Sequence, residues 1–572
     1  MIISGDLKFN FTTYLNLMLR GNLDQTNEDY MHEMYQGTNP VLASTTGGFN
    51  HTTTNTNQNY GDAILTFNKS ISQDWHLTAL AGGAIRDYKQ TGLNINSNRT
   101  PMFHPNWFTT ANVNFGGGGI AADVYDRKQT QSLFYSFEFG YKDALYLTTT
   151  GRNDWSSTLP SDKNNYFYPS VGLSAVLTDL FKNLSSSTMN YLKIRASYTQ
   201  VGNDLPTFIL NPVSTLGTNG SLSTPSTIIK PGTIIKPEMT NSFETGVDAN
   251  FFNNLVKVNA TYYKSNTHNQ LFTVTAPPSS GYKSYYVNGG NIQNQGVELT
   301  LSVSPTLGQI KWTSTVNFSK NVNKVKSLIP GIDFLVYSQL NNSTSYFQKI
   351  VPGGSLGDFY ATKFQRNTDG SYKLNSYYIN GVQQIGNQPV LDAQPEKIGN
   401  AFPDFLLSWG NQFSYKNFQL SFLIDGHFGG KIISMTQQML DFAGSSVQSA
   451  KDRDKGYVLV NDQQDADVKG FYQLKAGVGG PLGEYAYSAT AIRLRELSLL
   501  YSLPESMFQN GKYIKGISFG LVGRNLFFFH KNAPIDPEVV SNNTMGQNAF
   551  LGLEMYNLPS TRNIGFSANV NF

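Results

Sequence analysis

Thr561-Arg-Asn-Ile-Gly-Phe-Ser-Ala-Asn-Val-Asn-Phe572 closes the chain, and its alternation decides the fold class. Ile564, Phe566, Ala568, Val570 and Phe572 fall on one face of an extended strand, and Gly565, Ser567, Asn569 and Asn571 fall on the other. A soluble sandwich strand shares this alternation but rarely ends a chain on an aromatic residue. A strand that crosses a bilayer needs about 9–11 residues, apolar toward lipid and polar toward a lumen. This stretch has that length and that pattern.

The pattern recurs upstream. Alternation and turn chemistry give sixteen strands, at about 6–20, 58–69, 75–86, 130–140, 144–152, 166–177, 191–200, 242–252, 255–266, 295–304, 309–321, 404–415, 418–428, 490–503, 515–526 and 561–572. Leu192, Ile194, Ala196 and Tyr198 are separated by Lys193, Arg195, Ser197 and Thr199. A charge at every second position suits a wet interior better than a dry core. In 490–503 the apolar face shifts from Ile492 and Leu494 to Leu497 and Leu499, so a bulge is expected there.

The connections between these strands alternate in length. Short ones fall at about 70–74, 141–143, 178–190, 253–254, 305–308, 416–417 and 504–514. Long ones fall at about 21–57, 87–129, 153–165, 201–241, 267–294, 322–403, 429–489 and 527–560. Outer-membrane barrels sort their connections this way, with short periplasmic turns and long extracellular loops, whereas a sandwich has no reason to. The long connections hold a polar tract at 51–59 and a glycine run at 116–119. Residues 25–37 and 434–442 have the spacing of short amphipathic helices.

Composition agrees. Of 572 residues, 39% are hydrophobic, 13% aromatic and only 14% charged. An apolar exterior with aromatic girdles around a polar interior requires this balance. The net charge of +3 is too small to argue for nucleic acid. The absence of cysteine removes disulfides, thiolate metal sites and cysteine nucleophiles together. No apolar run is long enough for a transmembrane helix, so a membrane-spanning form must be a barrel. Met1-Ile-Ile-Ser-Gly-Asp6 lacks the features of a signal peptide. The expectation is that Met1 opens a mature form or lies inside a longer barrel.

Six segments carry a family resemblance, in order from about residue 130 to the end. They are Gly151-Arg-Asn-Asp-Trp-Ser-Ser with Tyr166-Phe-Tyr-Pro-Ser-Val-Gly, Leu192-Lys-Ile-Arg-Ala-Ser-Tyr-Thr-Gln-Val-Gly-Asn, and Lys236-Pro-Glu-Met-Thr-Asn-Ser-Phe-Glu-Thr-Gly-Val-Asp. There follow Asn291-Ile-Gln-Asn-Gln-Gly-Val-Glu-Leu, Ala491-Ile-Arg-Leu-Arg-Glu-Leu-Ser-Leu-Leu-Tyr-Ser-Leu-Pro, and Gly523-Arg-Asn-Leu-Phe with the closing strand. Together they resemble SusC/RagA-type TonB-dependent transporters of the Bacteroidetes outer membrane. The resemblance implies a barrel of about twenty-two strands, of which about sixteen are present, within the even-numbered range of such barrels. It also implies a plug and a TonB-interacting segment, which are expected to be absent along with the first strands, so that residues 1–572 are an incomplete barrel. The acidic stretch that many relatives carry before the Pro-Asp strand is replaced here by Val390-Leu-Asp-Ala-Gln-Pro-Glu-Lys. A calcium-like site is therefore not expected there.

Catalytic motifs are weak. Gly353-Gly-Ser355-Leu-Gly357 matches G-x-S-x-G, but Pro352 precedes it and no helical pattern follows, so it reads as a turn. His32-Glu33 begins an H-E-x-x-H pattern that fails at Gln36. Asp462, Asp465 and Asp467 have the spacing of a cation loop but also of a solvated acidic loop. Aromatic residues in polar loops suit glycans or peptides, which offer flat apolar faces beside hydrogen-bonding groups. Trp107, Phe108, Tyr285 and Tyr286 are the ligand-binding candidates, with girdle or loop packing as the plainer alternative.

The sequence therefore predicts an all-β, antiparallel transmembrane β-barrel in a Gram-negative outer membrane. No enzymatic activity, cofactor, metal or nucleic-acid partner is expected. By resemblance, the complete protein imports oligosaccharides or peptides, is capped by a SusD-like surface lipoprotein, and is energised by the TonB-ExbB-ExbD complex through its plug. The alternatives are a self-contained sixteen-stranded passive porin and a surface-exposed β-rich adhesion module.

Overall fold

The computed structural model describes the chain apart from residues 40–41, 213, 217–221, 341–344, 380–381, 509–512 and 540–549. Parts of the expected connections 21–57, 201–241, 322–403, 504–514 and 527–560 thus lie outside the described residues. Seventeen strands of nine residues or more run through the described residues. They are β1 (Ile2–Asn10), β2 (Leu15–Met34), β3 (Gly48–Ser70), β4 (Trp75–Asn96), β5 (Ile120–Tyr141), β6 (Leu145–Ser156), β7 (Asn165–Val176), β8 (Met189–Asn203) and β9 (Glu238–Phe251). There follow β10 (Val256–Thr275), β11 (Ser284–Val303), β12 (Ile310–Ser327), β13 (Phe405–Tyr415), β14 (Phe418–Phe428), β15 (Ala491–Ser502), β16 (Gly516–Lys531) and β17 (Asn563–Asn571).

Three expectations are corrected. The single strand at 6–20 is a hairpin of β1 and β2, which brings the count from sixteen to seventeen. Its turn forms because the Thr12 hydroxyl accepts hydrogen bonds from the Tyr14 and Leu15 amides, at 3.2 and 3.0 Å. The side-chain alternation continues across that four-residue turn and hides it. The amphipathic helix at 25–37 is instead the outer half of β2, paired residue by residue with β3 from Asp24↔Gln58 to Met34↔Gly48. Cross-strand pairing overrides the helical spacing there. Finally, the connections no longer sort strictly by length. Residues 157–164 and 276–283, on the long side, are shorter than 177–188 on the short side. The reason is that strands extend well into the segments read as loops.

The chain forms two compact units. The first comprises Met1–Val176, Arg195–Phe243 and Asn266–Asn291. In it β1 to β7 form an antiparallel meander in which each strand pairs with the next. The registers put mostly apolar side chains on one face and mostly polar ones on the other. Leu77, Phe139, Leu147 and Leu173 stand in one cross-strand row, and Ala63, Gly83, Leu133 and Phe167 in another that Asn153 interrupts. Leu133 is 59% exposed and Leu173 50% exposed. Contiguous apolar rows of this kind need a nonaqueous neighbour. The opposite face carries Asn68, Thr78, Glu138 and Thr148 in register. Trp75 and Tyr141, at the short-turn end of β4 and β5, have ring centroids 4.7 Å apart, as an interfacial aromatic belt requires.

β2 to β5 are about twice the length that a bilayer needs. Away from the short turns they become polar on both faces, as in the Asn- and Thr-rich first half of β3. Side-chain ladders hold these extensions together. Asn55 donates to Asn27 at 2.6 Å and Gln90 donates to Thr56 at 3.2 Å. Threonine also favours the extended backbone.

The second unit comprises Leu177–Ile194, Glu244–Ser265 and Ile292–Phe572. In it β12 to β17 form a second antiparallel meander. The expected bulge in β15 is present, as register shifts at Ile492/Arg493 and between Leu494 and Glu496. The excursions 328–404, 429–490 and 532–562 build a small globular core beside these strands. Four short strands, Leu335–Gln339, Tyr346–Ile350, Asp358–Ala361 and Glu396–Asn400, form one sheet. The helix at 434–442 is present as α1 (Met435–Phe442), with Ser434 as its N-cap. It is followed by α2 (Val447–Lys455) and α3 (Val468–Ala476). Tyr346, Phe359, Ile433, Leu482, Tyr485 and Leu553 meet in the core. The buried Glu554 carboxylate accepts from the Ser434 and Thr436 hydroxyls at 2.8 and 2.6 Å.

Two outcomes are expected. Phe137→Arg, on the apolar face of β5 between Leu133 and Phe139, should destabilise the protein in lipid vesicles by about 2–4 kcal/mol, whereas Ser136→Arg on the polar face should be near neutral. Urea unfolding of both variants tests this. Burial raises the Tyr346 and Tyr485 hydroxyls far above the usual tyrosine range and pushes Tyr487 up to about 12. These groups keep their protons when folded but ionise near pH ~10 when unfolded. The core should therefore hold its full stability below pH ~10 and lose it as the pH rises further. Thermal unfolding across that range should show the decline.

Candidate functional site

The polar face of the first unit is organised in cross-strand rows. Arg20, Asp62, Ala84, Ser132, Asp154 and Tyr166 align across β2 to β7. The Arg20 guanidinium forks onto Asp62, donating at 3.0 Å from Nε and 2.6 Å from Nη2, and the Tyr60 hydroxyl donates to the same carboxylate at 2.6 Å. Arg152 donates to Asp154 at 2.8 Å and to the Ser132 hydroxyl at 2.8 Å, while Tyr168 donates to Asp154 at 2.6 Å. Lys128 and Ser156 donate to Asp204 at 2.5 and 2.6 Å. A buried carboxylate without such donors would be costly. Here Asp62, Asp154 and Asp204 are each held by a cation and a hydroxyl.

These groups border a cavity of about 740 Å³. Arg86, Lys128 and Arg152 bring positive charge to its wall, and Asp126, Asp154 and Asp204 bring negative charge. Tyr88, Tyr166, Leu205 and Pro206 add apolar surface. A cavity of this size, with a few placed polar groups among aromatic rings, suits a polar solute of several units.

The second unit has its own charged cluster. The β15 bulge brings Arg493 and Arg495 to one set of acceptors. Arg493 pairs with Asp536 at 3.2 Å and with Glu538, and Arg495 pairs with Asp425 at 2.5 Å and Glu538 at 2.9 Å. These pairs fasten the segment after β16 to the strand wall.

The aromatic candidates lie away from the cavity wall. Trp107 is 55% exposed in the β4–β5 connection, with its ring 5.7 Å from His104. Phe108 packs on a core of Phe49, Ile95, Met102 and Val113 and meets Tyr35 edge-on at 5.0 Å. Tyr285 and Tyr286 are half-buried at the start of β11, where they pair in parallel with Ile228 and Ile229. Among the described residues no ring contact joins the two pairs. Ser355 sits in a turn, its amide donating to Asp358 and its hydroxyl to Asn323. Asp465 belongs to a small hairpin and Asp467 caps α3, so both have structural work. Sequence reasoning missed Asn22, Arg86 and Asp126, which lay at the edge of or inside segments read as loops. The usable signal was a charge at alternate positions, as at Asp126 and Lys128.

A family model described as TonB dependent receptor-like, beta-barrel matches residues 3–472. TonB-dependent receptor P26 of Formosa agariphila is 26% identical over 561 residues, covering 91% of this chain and 54% of the relative. TonB-dependent receptor P3 of the same organism is 24% identical, covering 92% and 53%. The chain thus spans about half the length of the curated relatives it matches. Among solved structures, the RagAB peptide transporter is similar with a TM-score of 0.76 at 20% identity, covering 99% of this chain and 61% of that one. At that identity the likeness establishes the fold.

Asp154→Ala should leave Arg152 and Tyr168 without their shared acceptor and cost about 1–3 kcal/mol. Denaturant unfolding in detergent should show the loss, and Asp154→Asn should recover part of it.

Proposed function

Because the chain belongs to the TonB-dependent receptor β-barrel family of the outer membrane, we propose that it forms the wall of an importer for oligosaccharides or peptides. The observation that carries this reading is the two-faced strand wall, apolar in rows on one side and lined with paired charges around a 740 Å³ cavity on the other. A polar solute crossing the membrane needs such a face, because leaving its hydrogen-bonding groups unmet would be costly. That the RagAB neighbour is described as a peptide transporter supports the class of cargo.

In this reading residues 1–572 supply the barrel part, and a plug that engages TonB-ExbB-ExbD belongs to the remaining length that the relatives have. A SusD-like surface lipoprotein would close over the excursions. Met439, Leu440 and Phe442 of α1, at 46%, 40% and 47% exposure, offer it an apolar footing. Trp107 would meet cargo at a loop tip, and Phe108, Tyr285 and Tyr286 would shape the entrance. The family is one of receptors and transporters, not of enzymes.

Uptake of a labelled oligomer by cells carrying the intact protein should stop when a protonophore collapses the proton gradient. Uptake that continues unchanged would make the protein a passive pore and overturn the proposal.

A further inference from the structure

Within the cavity of the first unit, three groups differ from the rest. Lys128 and Arg152 are neutralised by Asp204 and Asp154. Arg86 and Asp126 line the same cavity with no hydrogen-bond or ion-pair partner among the described residues. Both Asp126 Oδ1 and Asn22 Oδ1 are buried acceptors without a donor. Buried polar atoms are nearly always paired, so such orphans around one cavity call for a ligand. What is left over is one cation, one anion and one neutral acceptor.

We propose that this cavity is a binding site for a short zwitterionic peptide. Its carboxylate sits on the Arg86 guanidinium and its ammonium on Asp126. The spacing agrees. Arg86 pairs with Thr130, and Asp126 lies four residues further along β5. At about 3.3 Å per residue and 4.8 Å per strand, their Cα atoms are about 14 Å apart. An extended peptide of three or four residues spans about 10–14 Å, and the arginine side chain takes up the difference. A neutral glycan would leave both charges unmet. The proposal rests on the reading of this face as the transport route and narrows the cargo that it takes.

The test is titration calorimetry on the full chain in detergent, with trialanine, its N-acetylated amide and maltotriose as probes. Trialanine should bind at least about tenfold more tightly than either neutral probe. Arg86→Ala and Asp126→Asn should each weaken it about tenfold or more, while Arg86→Lys retains most of the affinity. Among the described residues neither Arg86 nor Asp126 has a side-chain partner to lose, so both variants should fold like the parent. Equal binding of the three probes, or unchanged affinity in Arg86→Ala, overturns the proposal. So does an absence of trialanine binding, including the case where a protein segment fills the cavity, which a photo-crosslinker at position 86 would reveal. Oligomer uptake in cells separates the two readings. Energised uptake without trialanine binding removes the peptide site and leaves the importer. Trialanine binding without energised uptake does the reverse.

Discussion

Backbone hydrogen bonding inside a bilayer is the constraint from which the rest follows. Hydrocarbon offers no partner for an amide or a carbonyl, so each must be met within the protein. Antiparallel strands paired with their sequence neighbours meet them over the long registers of β2 to β5. Once that pairing exists, the side chains are sorted without further instruction, because residues opposite each other share a face. Leu77, Phe139, Leu147 and Leu173 are driven to one side together, and Thr78, Glu138 and Thr148 to the other.

The polar face then has an electrostatic problem of its own. Asp62 and Asp154 are buried against the wall, where an unpaired carboxylate would be expensive. Arg20 and Arg152 meet them in forked or charge-assisted bonds, and Tyr60 and Tyr168 complete the acceptors' coordination. With these positions occupied internally, the groups left facing the cavity are few. A wall that satisfies most of its own charges and leaves a few unmet has selectivity, whereas a wall of free charges would hold any counter-ion.

The strands and the excursions solve different physical problems. The strands near the short turns are stabilised by an apolar surround. The excursions 328–404, 429–490 and 532–562 have no lipid to bury against, so they make a dry centre from Tyr346, Phe359, Ile433 and Leu553. Capping by Ser434 and the Glu554 network join strand, helix and distant loop there. Such contacts link residues more than a hundred positions apart, which no local pattern in the sequence encodes.

By itself the sequence determined the two-faced strands, the absence of a spanning helix, the bulge in β15 and the helix after Ser434. Each depends on neighbours within a few residues, where period two, a cap or a slipped alternation is visible. It also carried the family resemblance, since ordered motifs survive in the chain itself. Only the tertiary structure decided that 25–37 is strand rather than helix, because its fate is set by pairing with β3. It also decided that β1 and β2 are separate, and that Asn22, Arg86 and Asp126 line one cavity. Those three residues come from three strands, and their common surroundings are fixed by cross-strand register, a relation between distant segments that alternation along one segment does not carry.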